Sequence, residues 1–185
     1  MKDLAQSLGL LALLVAVSAW AGTHPKLVAP ALSAEHVDPS NAFSFRTPSQ
    51  WKVESSGVSP EVMQAQGDSL VVRFLRRGEE SGYDSLHVDC MQERLGNPLE
   101  AEPQVEYEYD FVSAVFGARR ALDSAFRVRY DHPILGFTEW RQRNITLVGM
   151  GESLCVVANC PMKLWKKSPE TRALMDRVLS SITLR

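Results

Sequence analysis

Phe43-Ser44-Phe45-Arg46-Thr47-Pro48-Ser49-Gln50-Trp51-Lys52-Val53-Glu54 alternates apolar and polar side chains on either side of a proline turn. A period of two sends successive side chains to opposite faces of an extended backbone, so two short strands are predicted, Phe43 to Arg46 and Trp51 to Glu54. The pattern continues toward the C-terminus. Val62 to Gln66, Ser69 to Arg76 and Ser85 to Glu93 read as further strands, with breaks at Gly67-Asp68 and between Gly78 and Gly82. In the middle one, Leu70, Val72 and Phe74 share one face while Val71, Arg73 and Leu75 share the other, which predicts cover on both sides. Antiparallel meanders are the expected arrangement.

After Asn97-Pro98 the apolar spacing changes. Val105, Tyr109, Val112 and Phe116 recur at helical intervals, with Tyr107, Phe111 and Val115 widening the stripe, so a helix is expected there. Glu106, Glu108 and Asp110 near its start and Arg119 and Arg120 at its end would complement the helix dipole. Strands return at Ser124 to Tyr130, Phe137 to Val148 and Glu152 to Asn159, the last two joined across Gly149-Met150-Gly151 as a hairpin. Ser168 is placed to cap a final helix that starts with Pro169 and carries Leu174, Met175, Val178, Leu179 and Ile182 on one face.

Toward the N-terminus the reading changes from structure to address. Lys2, the apolar run Leu8 to Val17 and the small residues of Ala19-Trp20-Ala21 have the form of a signal peptide covering residues 1–21. That run is far short of the roughly 20 residues needed to span a bilayer, so no stable membrane span is expected after cleavage. Residues 22–41, with Pro25, Pro30 and Pro39 among small residues, read as a flexible linker leading into a domain at residues 42–185. A periplasmic or secreted location follows. The 185 residues are 45% hydrophobic and 23% charged, enough apolar material for one core. Lys+Arg 20 against Asp+Glu 22 leaves a formal charge of -2, which provides no general attraction for nucleic acid.

The opening Phe43 to Trp51 stretch resembles the aromatic strand, proline turn and tryptophan that begin PsbP-like and Mog1-like domains. The strand Leu154 to Ala158 and the helix ending in Val178-Leu179-Ser180-Ser181-Ile182-Thr183-Leu184 are similar to that family's last strand, helix and short tail. The resemblance covers the order of elements from about Asn41 to Arg185. It implies an α+β fold, an α/β/α sandwich around a central, mainly antiparallel sheet, and roles that are mostly noncatalytic. Secreted bacterial domains of the DcrB type, thylakoid-lumen photosystem proteins and a Ran-binding factor belong to it. No residue role is carried over, and the modified cysteine of the DcrB lipoproteins has no counterpart, because Gly22 stands at that place.

The residues themselves offer few chemical constellations. An oxidising compartment would let Cys90 pair with Cys155 or Cys160, whereas Cys155 and Cys160 sit too far apart along one extended strand, about 16 Å, to pair with each other. His87 and Asp89 leave the same face of their expected strand, but two groups are too few for a metal without a third such as Asp131 or His132, and no metal is expected. No nucleophile elbow, zinc helix or phosphate-cradling loop is present, so no catalytic residue and no cofactor are expected. Asn144-Ile145-Thr146 fits a glycosylation sequon. The strongest binding signal is Trp140 with Arg141 and Arg143, an interface-like composition on the long hairpin. The expectation is therefore a noncatalytic exported protein that binds a protein or envelope component. The alternatives are a small-ligand carrier with a pocket between sheet and helix, and an enzyme whose site is not recognised.

Overall fold

The computed structural model describes residues 30–56, 61–67, 70–78, 90, 103–116, 119–132, 136–148 and 152–185. Ten strands are described there: β1 (Ala34–Val37), β2 (Phe43–Thr47), β3 (Lys52–Ser55), β4 (Glu61–Gly67), β5 (Leu70–Gly78), β6 (Gln104–Phe116), β7 (Arg119–His132), β8 (Gly136–Val148), β9 (Glu152–Pro161) and β10 (Thr183–Leu184). The described helices are α1 (Met162–Lys167) and α2 (Pro169–Ser180).

Seven strands form one antiparallel sheet in the order β3-β4-β5-β9-β8-β7-β6, and β1-β2-β10 form a second, smaller one. The fold is α+β with a central antiparallel sheet, as the resemblance implies. β9 joins two meanders, pairing with β5 on one side and β8 on the other. Although β2 and β3 flank one turn, they belong to different sheets. Trp51, at that turn, is buried and packs so closely over Gly67 that a Cβ there would lie 2.0 Å from its indole nitrogen.

The main core lies on one face of the large sheet. Val72, Phe74, Ile145, Leu147, Val156 and Ala158 pack there against Phe43 and Phe45 of β2 and Met175, Val178 and Leu179 of α2. The aromatic rings of Phe45 and Phe74 stack with centroids 4.3 Å apart, which bolts the small sheet to the large one. α2 begins as its sequence requires: the Ser168 hydroxyl accepts a hydrogen bond from the Thr171 amide and Pro169 occupies the first position. At its other end, the Ser181 hydroxyl accepts from the Arg46 amide, 2.8 Å away, and so ties α2 to β2.

On the opposite face, Leu75, Cys155, Val157 and Cys90 form a second cluster and Phe126, Val128 and Tyr130 a third. Leu75 and Phe74 are thus both buried on opposite faces, so β5 is covered on both sides. A disulfide joins Cys90 to Cys155, with the Cα atoms 5.6 Å apart. It is one of the two pairings open to Cys90; the other candidate, Cys160, points into the main core as a free thiol.

Three expectations are corrected. Residues 105–116 are not a helix but lie within the edge strand β6, paired with β7 from Gln104↔Arg129 to Phe116↔Arg119. Val105, Tyr107, Tyr109 and Phe111 alternate with Glu106, Glu108 and Asp110, and this aromatic period-two pattern outweighs the coincident helical spacing. Part of the expected linker is ordered, since Ala34–Val37 forms β1 against β2. The intervening turn is held by Asp38, whose carboxylate accepts from the Ala42 amide and from Arg76 Nη2 at 2.7 Å. Finally, Cys90 has helical backbone, so the strand expected over Ser85 to Glu93 does not run through it, and the rest of that stretch lies outside the described residues. The signal-peptide reading of residues 1–21 also lies outside them.

Candidate binding groove and the fate of the sequence candidates

Pleating separates the three residues that composition had grouped. Trp140 is half-buried on the face that carries Phe126, Val128 and Tyr130, opposite Val128 on β7 and Pro161 on β9. Arg141 and Arg143 emerge from the other face. Arg141 is only 4% exposed, so it cannot serve as a surface recognition group. Its Nη2 pairs with Glu108 at 2.8 Å, Nη1 donates to the Gln142 carbonyl at 2.6 Å, and the guanidinium lies 4.9 Å from the centre of the Trp165 ring.

Arg143 is also engaged within the domain. Its Nε donates to both oxygens of Asp123 at 3.1 Å and its Nη2 to Oδ2 at 2.7 Å, a forked arrangement. Nη1 reaches Asp176 on α2 at 3.1 Å, so the guanidinium also links sheet to helix. Burial on its own would lower the Arg143 pKa, but hydrogen bonding and charge attraction from Asp123 outweigh it and hold the pKa above its ordinary value. The Tyr109 hydroxyl donates to the same carboxylate at 3.3 Å, and burial pushes its pKa up. Four side chains from β6, β7, β8 and α2 thus share one network, in which a single guanidinium faces two carboxylates.

Burial also decides the other candidates. Asn144 of the sequon is fully buried; its amide donates to the Cys90 carbonyl and accepts from Gln142 Nε2 at 2.8 Å, so the position is closed to a glycan. Cys90 and Cys155 are consumed by their disulfide. Burial pushes the Cys160 thiol up to about 11, the opposite of what an activated nucleophile requires. His87 and Asp89 lie outside the described residues. Asp131 is bound by Arg129 Nε at 2.8 Å and by Gln104 Nε2 at 3.0 Å, and no metal-holding group of three residues occurs among the described residues.

Among the described residues a recess is open to solvent. The start of β8, residues 137–140, and the β9–α1 junction enclose a groove of about 480 Å³, in the roughly 300–1,000 Å³ range of small-ligand sites. Phe137, Trp140, Pro161 and Met162 supply an apolar lining, while Lys163 and Lys166 stand on the α1 side and Glu139 on the β8 side. Phe137 is 53% exposed, and the Arg129 guanidinium lies 4.0 Å over its ring. Sequence reasoning found Trp140 but missed the rest. α1 has six residues, too few for a helical period to register, and it is the α1 backbone that swings Met162 and the lysines toward β8.

Solved structures similar to this one identify the architecture. The cyanobacterial PsbP protein (CyanoP) of Synechocystis sp. PCC 6803 superposes with a TM-score of 0.56 over 88% of this chain and 98% of its own, at 10% identity. A Bacteroides thetaiotaomicron VPI-5482 protein gives 0.51 over 84% of this chain at 12% identity, and the match spans 49% of that longer chain. LpqN of Mycobacterium tuberculosis, involved in cell envelope biogenesis, gives 0.48 over 82% of this chain and 90% of its own at 14% identity. No family model and no curated protein matches the sequence.

Proposed function

With a PsbP-like fold as its frame, we propose that the protein is exported by removal of residues 1–21 and acts without catalysis, by binding a component of the cell envelope at the β8–α1 groove. The observation that carries this reading is the groove itself, which a half-exposed Phe137 and a half-buried Trp140 both line from opposite faces of β8. Aromatic side chains on a preordered sheet bury large apolar areas with little entropy loss, so a partner gains affinity there at low cost. The described candidates for chemistry point the same way. Cys160 is buried with a raised pKa, and Arg141 and Arg143 are tied into internal ion pairs.

The reading differs from a recognition surface made by Trp140, Arg141 and Arg143 together. Trp140 belongs to the groove, whereas the two arginines hold the domain together behind it. Capture of envelope components by the wild type and by Phe137→Ser tests this directly, because Phe137 is exposed enough that its replacement should leave the thermal melt nearly unchanged. A fall in capture of tenfold or more is expected. Full capture by Phe137→Ser, together with loss of capture on replacing a residue remote from the groove, would remove the groove from the function. Intact-mass analysis of the exported protein tests cleavage, with loss of residues 1–21 expected.

A further inference from the structure

We infer that the groove takes a single molecule of an anionic amphiphile, with its apolar chain against Phe137, Trp140 and Met162 and its anionic head between Lys163 and Lys166. This rests on the reading of the groove as the binding site. The lining divides by chemistry: the floor is aromatic and aliphatic, and the α1 rim carries two exposed ammonium groups. Among the described residues neither lysine has an ion-pair partner, and Glu139, the one carboxylate in the lining, is paired with neither.

The helix does not account for both charges. Lys166 lies in the last turn of α1, where the helix dipole favours a cation, but Lys163 lies in the first turn, where the dipole opposes one and where no acidic residue stands. Lys163 and Lys166 are three residues apart, so they neighbour each other on the helix surface and repel. An anion between them would relieve that repulsion. A neutral amphiphile would use the floor alone, and a cationic one would meet two like charges. A bilayer surface fits less well, since the chain carries a formal charge of -2 and the cationic feature is one pair of side chains.

Titration calorimetry on the protein as its source produces it separates the possibilities, using decanoate and decyl maltoside below their aggregation limits, acetate and inorganic phosphate as heads without chains, and phosphatidylglycerol vesicles. Decanoate should bind at least tenfold more tightly than decyl maltoside, and the isolated heads should bind far more weakly than either. Lys163→Gln/Lys166→Gln should abolish that preference while leaving decyl maltoside binding intact, and Phe137→Ser should weaken both amphiphiles. Equal affinity for the two amphiphiles would overturn the anionic assignment and leave the groove standing. Tight vesicle binding without decanoate binding would overturn the single-molecule assignment in favour of a membrane surface. Binding of neither amphiphile, with envelope capture unaffected by Phe137→Ser, would overturn the groove reading as well.

Discussion

Removing the carboxylate of Asp123 should destabilise the domain far more than removing that of Asp176, although both hold the same guanidinium. The Asp123 side chain is 5% exposed and accepts three Arg143 contacts between 2.7 and 3.1 Å; the Asp176 side chain is 59% exposed and accepts one at 3.1 Å. Breaking a buried ion pair by deleting one partner typically costs 3–5 kcal/mol, because a charge is left without compensation. Arg143 keeps Asp176 and is itself 20% exposed, so water screens part of that loss, and about 2–3 kcal/mol is expected for Asp123→Ala. Asp176→Ala should cost below about 1 kcal/mol, as exposed pairs do. Urea unfolding of the oxidised protein, extrapolated linearly to water, measures both. At 0.5 M NaCl the Asp176→Ala effect should shrink and the Asp123→Ala effect persist. In the double variant Asp123→Ala/Arg143→Ala the loss should be smaller than the sum of the single losses. If Asp176→Ala costs as much as Asp123→Ala, or if Arg143→Ala leaves stability intact while abolishing envelope capture, Arg143 is a recognition group and the structural assignment fails.

Gly67→Ala should cost about 2–4 kcal/mol, because its Cβ would fall 2.0 Å from the Trp51 indole and expel the ring from the core; in a Trp51→Ala background the further loss should be small. Reducing Cys90–Cys155, or replacing both with Ala, frees a 65-residue separation in the unfolded chain and should lower stability by about 4 kcal/mol, and reduced protein within 1 kcal/mol of the oxidised form would count against that. Cys160 should resist thiol labelling at pH 8 until denaturant is added. Because its folded pKa is raised to about 11, the stability it contributes is intact below about pH 9 and is lost as pH climbs through 11, and Cys160→Ala should flatten that part of the alkaline stability profile.

The sequence alone determined most of the local elements, because local periods depend on neighbouring residues only. The alternation around Phe43–Thr47 and Leu70–Gly78, and the Ser168-Pro169 start of α2, appear in the structure with bounds close to those expected. Even the error at β6 was local: Val105, Tyr109, Val112 and Phe116 satisfy a helical spacing while Val105, Tyr107, Tyr109 and Phe111 satisfy a strand, and pairing with β7 decided between them. Tertiary structure alone decided which sheet β2 joins, that Cys90 bonds Cys155 while Cys160 turns into the core, and that Trp140 and Arg141 part company across the pleat. It also assembled the groove, since Phe137 and Lys163 lie 26 positions apart and meet only because β9 returns beside β8 and hands the chain to α1. Such partners are set by which distant segments pack together to bury the most apolar surface, and that competition is settled by the whole core rather than by any stretch of the chain.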